Sequence, residues 1–299
     1  MKSNRILSFL FVGILFASCK EQIPAGLVLN SLTSKDTTYI DNNIETPQVK
    51  KVVIEELTGV ACANCPDGTK QLRDFTTQYP DRIILAALHS GFLTTPPPNA
   101  IYDFRNSSAD DLNLFLAGQL NSPKPCATFD RVPVTVNGDL TYFIVRGNTG
   151  GDWISALTDR INKTTPVNIH LTSSFDENNK KVNVTAKMQF TQDVNESLAL
   201  TLYVLESGKI DVQDSANVEL EHYEFNHVLQ KIITPVSGEP ILDSLPNKVK
   251  GRVLEKVFSF EPNLQGINAW NIDKCVVVGI VHKTGSSKEI VHAEEVNLK

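Results

Sequence analysis

Along the chain the apolar positions change style twice. After a polar opening stretch, Val52-Val53-Ile54 followed by Glu55-Glu56-Leu57 has the density of a buried strand. From Thr69 to Tyr79 the apolar positions Leu72, Phe75 and Tyr79 fall near helical spacing, and Pro80-Asp81 ends that element. Arg82-Ile83-Ile84-Leu85-Ala86-Ala87-Leu88-His89 predicts a second strand, apolar almost throughout, as in a sheet covered on both faces. Strand, helix and strand in so short a span predict a parallel crossover unit. Residues 90–110, with Pro96-Pro97-Pro98, predict a loop. Ala109 to Leu120 predicts a helix on Leu112, Leu114, Phe115, Leu116 and Leu120. Thr141 to Val145 predicts a strand. Asp152 to Ile161 predicts a closing helix with Asp152 as N-cap and Trp153, Ile154 and Leu157 inward.

At Thr164-Thr165-Pro166 the period shortens to two. Val167 to Thr172 and Val182 to Met188 alternate, with Asp176-Glu177-Asn178-Asn179-Lys180-Lys181 turning between them. Leu198 to Leu205 and Cys275 to Val281 predict further strands. Short strands at even spacing predict a β-sandwich. The resulting division is a signal peptide at 1–18, a tether at 19–49, an α/β domain at 50–164 and an all-β domain at 165–299.

The N-terminus changes the picture. Lys2 and Arg5 form a basic start, and Ile6 to Phe16 an apolar run of about eleven residues, short of the about 20 that span a bilayer. Ala17-Ser18-Cys19 then has the form of a bacterial lipoprotein signal, with cleavage before Cys19 and lipid on its sulfur. An ordinary secretory signal is the alternative. The expected location is the cell envelope, lipid-anchored at the outer membrane, with the bilayer a partner through Cys19. Residues 20–49 are polar and aperiodic and predict a tether.

The chain has 299 residues, 41% hydrophobic and 21% charged, with a formal net charge of -6. That balance excludes a nucleic-acid partner of the usual basic kind. Export implies an oxidising compartment. Without Cys19 there remain Cys62, Cys65, Cys126 and Cys275.

Cys62-Ala63-Asn64-Cys65 stands between the first strand and the first helix. A dithiol couple needs one activated thiolate and a second thiol to resolve a mixed disulfide. A helix N-terminus favours the thiolate, so Cys62 would attack and Cys65 resolve. A permanently oxidised structural staple is the competing reading. Zinc would need a second pair of ligands at matching spacing, and none is present. His89 ends a strand whose carboxyl end faces the site in a parallel sheet, so it either tunes the thiols or is a structural histidine. Cys126 is read as a third redox thiol or a small buried hydrophobe. No phosphate-loop or Ser/His/Asp pattern is present, and no cofactor or metal is expected.

A strand, then C-x-x-C at a helix start, then a proline before a strand resembles the thioredoxin pattern. Glu55 to Gly59, Cys62 to Pro66, the strand ending in His89, and Pro125 to Arg131 together resemble the Omp28-related outer-membrane lipoproteins. That resemblance implies a thioredoxin-like domain followed by an immunoglobulin-like β-sandwich. It also implies that Glu56, or Glu55 if the register slips by one, is a buried acid serving Cys65, a solvated strand-end carboxylate being the alternative, and that Pro125 presents backbone to a substrate. The chain departs from thioredoxins in having no Trp before Cys62 and Ala-Asn between the cysteines. The expected function is thiol–disulfide exchange on envelope or surface proteins. The alternative is a non-enzymatic surface lipoprotein that binds a partner through its sandwich.

Overall fold

A computed structural model describes residues 35–136, 138–147, 152–216, 218–242 and 248–299. The signal peptide, Cys19 and the first part of the tether lie outside the described residues.

The first half holds β1 (Lys35–Ile40), β2 (Val52–Thr58), α1 (Cys65–Gln78), β3 (Ile83–His89), α2 (Ser107–Ala117), β4 (Cys126–Phe129), β5 (Val134–Val136), β6 (Asp139–Thr141), β7 (Ile144–Val145) and α3 (Trp153–Ile161). The second half is β8 (Val167–Asp176), β9 (Lys181–Phe190), β10 (Leu198–Glu206), β11 (Lys209–Ser215), β12 (Val218–Phe225), β13 (Val228–Ile232), β14 (Glu239–Ile241), β15 (Arg252–Phe260), β16 (Cys275–Lys283) and β17 (Ile290–Asn297).

β2 and β3 run parallel in the register Val52↔Ile83 to Thr58↔His89. β4 lies antiparallel on the other side of β2, with Leu57 opposite Cys126, and β7 pairs antiparallel with β4. Residues Val52, Ile54, Ala127 and Phe129 pack under α1 and α3 with Leu72, Phe75, Trp153 and Leu157. The alternate residues Val53, Leu57 and Cys126 face the other way, toward Leu112 and Leu116 of α2. The strict two-residue alternation of strands thus sends neighbours to two different cores. Trp153 anchors α3 by donating from Nε1 to the Ile144 carbonyl at 2.8 Å.

The sheet continues past β3. A short parallel pairing joins Ala87 to Val228 of β13, and β10, β16 and β17 follow antiparallel, giving the order β17-β16-β10-β13-β3-β2-β4-β7 with β14 also on β10. A second sheet, β1-β15-β9-β8, packs against the far half of the first. Their shared core includes Val184, Met188, Phe190, Leu200, Leu202, Phe258 and Val277, drawn from the inward positions of the alternating strands.

Three sequence expectations differ from the structure. Residues 35–40 are not tether: β1 pairs with β15 from Lys35↔Val257 to Ile40↔Arg252, and the following chain is tied down where Asn168 Oδ1 accepts from the Gln48 amide at 2.8 Å. A polar edge strand held by backbone bonds leaves no apolar period to read. Ile154 points outward, at 46% exposure, while Trp153 and Leu157 are buried. The predicted strand at 141–145 is broken in two: Thr141 ends β6, the chain bends at Tyr142 and Phe143, and Ile144–Val145 form β7.

Two buried polar clusters join the first half to the second. Asp130 and Arg131 both sit at φ 51° in the left-handed region. Arg131 Nη2 donates to Glu55 Oε1 at 2.7 Å and to the Tyr203 hydroxyl at 2.5 Å, and Tyr203 donates on to Glu55 at 2.7 Å. Asp130 accepts from Lys50 Nζ at 2.5 Å and Arg160 Nε at 3.0 Å, and Arg160 reaches Glu289 at 2.7 Å.

Candidate functional site

The β2 strand ends at Thr58 and the chain turns at Gly59, where a Cβ would meet the Leu93 carbonyl oxygen at 2.3 Å. Only glycine allows that approach. The turn places Cys62 ahead of the helix and Cys65 as the first residue of α1, with Asn64 in the cap position and Pro66 next. Pro suits the first helical turn because its missing N–H has no partner there in any case. Cys62 and Cys65 form a disulfide, with Cα atoms 5.3 Å apart.

Glu56 and Cys65 line one small cavity of about 20 Å³, together with Thr69, Arg73, His89, Gln213, Tyr223 and Phe225. That is room for about one water. Glu56 accepts from Thr69 Oγ1 at 2.9 Å. Burial pushes its pKa up to about 8, opposed by the Thr69 bond and the Arg73 charge. At neutral pH its carboxyl therefore carries a proton and can exchange it. Glu55, one residue earlier, is on the opposite face. Burial pulls its pKa upward, but the Arg131 charge and hydrogen bonds from Arg131, Tyr203 and Thr128 prevail and hold it below the usual range. Of the two acids, Glu56 is the one beside Cys65.

His89 lines the same cavity. Its ring stacks on Phe104 at 4.9 Å, and neither ring nitrogen has a hydrogen-bond partner among the described residues. Burial, with the Lys124 charge adding to it, drives its pKa down to about 3, so the ring is neutral. The loop bond that would mark an ordinary structural histidine is not formed.

Pro125 follows a cis Lys124–Pro125 bond and immediately precedes β4. Its ring lies against α1, where a Cβ added at Gly68 would stand 2.9 Å from Pro125 Cβ. Cys126 is fully buried on the α2 face, away from α1, and burial lifts its thiol to about 12. It is a core residue, and its proton is held too firmly for a third redox thiol. Cys275 is likewise buried and raised to about 12. Among the described residues no group of side chains has a metal-holding arrangement.

What covers the pair is not legible in the sequence. The β11–β12 hairpin, a separate two-stranded ribbon, lies over the cysteine turn. The Asp214 amide donates to the Val60 carbonyl at 2.8 Å and the Ala216 amide to the Ala63 carbonyl at 3.1 Å. Gln213 Nε2 donates to the Gly59 and Cys62 carbonyls, both at 3.2 Å. Cys62 and Cys65 are 2% and 1% exposed. Tyr223 and Phe225 were missed because the ribbon buries only one side, so its acidic residues mask the alternation.

The family model for outer membrane protein Omp28 matches residues 121–299. The chain belongs to the Omp28 family of outer membrane proteins. The matched span includes Pro125 and begins after Glu56, Cys62, Cys65 and His89, so membership in Omp28 speaks to location and not to the cysteine pair. No curated protein matches this chain. Among solved structures, HBP35 of Porphyromonas gingivalis is 19% identical, covers 83% of this chain and 75% of its own, and superposes with a TM-score of 0.59. That likeness is one of fold. A domain of the outer membrane lipoprotein Omp28 from Porphyromonas gingivalis is 16% identical, covering 45% of this Omp28 chain and 89% of its own, with a TM-score of 0.32. Among the described residues of this Omp28 protein, no helix is long and apolar enough to cross a bilayer.

Proposed function

We propose that this Omp28 protein is anchored to the outer membrane through lipid on Cys19 and carries a thioredoxin-like domain at residues 50–164. That domain exchanges disulfides with envelope proteins and is followed by an immunoglobulin-like sandwich at 165–299. The observation that carries the proposal is the Cys62–Cys65 disulfide at the start of α1 with a proton-bearing Glu56 in the cavity behind Cys65. The strand order β3-β2-β4-β7, with α1 and α3 on one face and α2 on the other, supports it.

The chemistry is an exchange. A substrate thiolate attacks Cys62 Sγ, the Cys62–Cys65 bond breaks, and Cys65 leaves as a thiolate that takes a proton from Glu56. A second substrate thiolate then attacks the substrate sulfur of the mixed disulfide, forming the substrate disulfide and releasing Cys62 as a thiolate. The substrate has lost two electrons to the cysteine pair and gained a disulfide; the same steps reversed reduce a substrate.

Burial of both sulfurs supports a second reading, in which the disulfide is a staple and the protein acts by binding. Cys65→Ser separates the two. Expressed in its own envelope, the exchange protein traps partner proteins on Cys62 as reducible high-mass bands, which vanish in Cys62→Ser/Cys65→Ser. A staple traps none, and both single variants lose stability, by about 2–4 kcal/mol or less for so short a loop.

A further inference from the structure

We propose that the β11–β12 hairpin is a strap that gates the cysteine pair: a thiol reaches the disulfide only when the hairpin lifts from the turn at Val60–Ala63. The proposal rests on the exchange reading for its purpose, and on contacts alone for its existence. The hairpin belongs to neither of the large sheets; β11 and β12 pair only with each other. It meets the cysteine turn through the two backbone bonds and the Gln213 side chain described above. A strap held at its far end by two backbone bonds, the Gln213 amide and one exposed bond from Asn99 Nδ2 to Glu219 at 2.6 Å, rather than by a full ladder, can open without unfolding the sheets.

Its apolar underside fits the site. Tyr223 and Phe225 pack with Val60, Phe104 and Val228 in a small cluster of their own. Phe225 also touches the His89 ring, with centroids 5.7 Å apart. Its outer side is free: Ile210 is 52% exposed and Val218 61%. Its root is fixed, because the Asp211 carboxylate accepts the amides of Ile101 and Tyr102 at 2.9 and 2.7 Å. A fixed root and a lightly held far end are the parts of a hinged cover. Strands that pair with an exposed backbone in this way are also how extended peptides dock. The strap therefore occupies the backbone positions at Val60 and Ala63 that an incoming chain would use.

The test uses the full oxidised protein and dithiothreitol. The reagent's thiolate attacks one sulfur of the pair, its second thiol closes to the cyclic disulfide, and the pair gains two electrons and two protons. Acid quenching, alkylation and mass measurement give the reduction rate. Gln213→Ala removes the side-chain donors and leaves the backbone bonds. Its rate is expected to rise about tenfold, the factor that about 1.4 kcal/mol of lost closure gives, with global stability in urea falling by no more than that same amount. An unchanged rate in a stably folded Gln213→Ala overturns the gate. Should that variant fail to fold, hydrogen exchange on the wild type decides. Asp214 and Ala216 amides that exchange by a local opening, at least as often as the disulfide is reduced, support the strap. Amides that exchange only on global unfolding, in a protein whose pair is reduced readily under native conditions, overturn it. Because the probe is a small dithiol, a strap that gates reduction while Cys65→Ser traps no partner would remove the exchange reading and leave the gate.

Discussion

Glu55 and Glu56 are consecutive on β2 and both buried, yet one is a paired anion and the other a neutral acid. Glu55 meets Arg131 at 2.7 Å with both side chains at 0% exposure, whereas Glu56 meets only the Thr69 hydroxyl at 2.9 Å. The strand's alternation sends the first to the α2 face and the second to the α1 face. One face supplies a guanidinium and the other a cavity beside a disulfide. The same carboxyl chemistry then has opposite uses: Glu55 ties β2 to β10, and Glu56 can move a proton.

Glu56 makes stability depend on pH in a definite direction. Its folded pKa of about 8 exceeds the ordinary value of 4.5, so the folded protein holds a proton that the unfolded chain gives up. The contribution is fully present below about 4.5 and declines as pH rises to about 8. Glu56→Gln keeps a hydrogen-bonding partner for Thr69 and removes the titration. Urea midpoints of wild type should fall across that window more steeply than those of Glu56→Gln. If the exchange reading holds, the variant has no carboxyl proton to give the leaving Cys65 and should also form mixed disulfides with substrate thiols more slowly near neutral pH.

Arg131→Met tests the opposite case. It leaves the Glu55 carboxylate buried with Tyr203 and Thr128 as its remaining donors. Removing one partner of a buried pair costs about 3–5 kcal/mol. Protonation relieves the orphaned carboxylate, so the loss should be largest near neutral pH and shrink in acid. Denaturant melts at pH 7 and pH 4 check this; equal losses at both would show that packing rather than charge is at stake.

Gly68→Ala sets helix propensity against packing. Alanine in a helix gains about 1 kcal/mol over glycine. The new methyl would meet Pro125 ring atoms at 2.9 and 3.0 Å and Trp153 at 3.3 Å. A proline ring cannot swing aside, and overpacking of this kind costs about 1–3 kcal/mol. The net effect should be a loss of stability. A stabilised variant would show that α1 and the Pro125 segment separate easily.

The elements legible in the sequence are those with a strong private pattern. β2, β3 and the body of α1 announce themselves by apolar density or helical spacing, and β8, β9, β10 and β16 by alternation or a buried run. The Cys62–Cys65 pair was legible because its spacing is local, whereas Glu56 came to notice through the resemblance to thioredoxins. What escaped depends on partners far along the chain. β1 is polar and held by β15 more than two hundred residues later, and the β3–β13 seam rests on a brief parallel pairing that leaves no trace in either segment. The strap was hidden for a related reason: Tyr223 and Phe225 are buried against residues some hundred and more positions earlier, while their neighbours Glu221, His222 and Glu224 stay in water. Even the choice between Glu55 and Glu56 turns on a parity that a single-residue slip would reverse.

The proposed boundary at 164/165 makes a distinct prediction for a fragment of residues 50–164. One of its cores is private: the cluster of Val52, Ile54, Leu72, Phe129, Trp153 and Leu157 under α1 and α3 draws on no residue beyond Ile161. The other is shared, because Val53, Leu57, Leu88 and Leu112 pack with Tyr203, Leu229, Val278 and Ile290 from the second half. The fragment keeps its strand order, its helices, the Glu55–Arg131 pair and the Lys50–Asp130–Arg160 cluster, but exposes a continuous apolar face. It should fold, unfold cooperatively in urea at a lower midpoint than the full chain, and self-associate or bind a hydrophobic dye through that face. Its cysteine pair, freed of the strap as well, should be reduced by dithiothreitol faster than in the full chain. A fragment without a cooperative transition would show that 50–164 is not an autonomous domain and that the shared core is what holds β2 and β3 together.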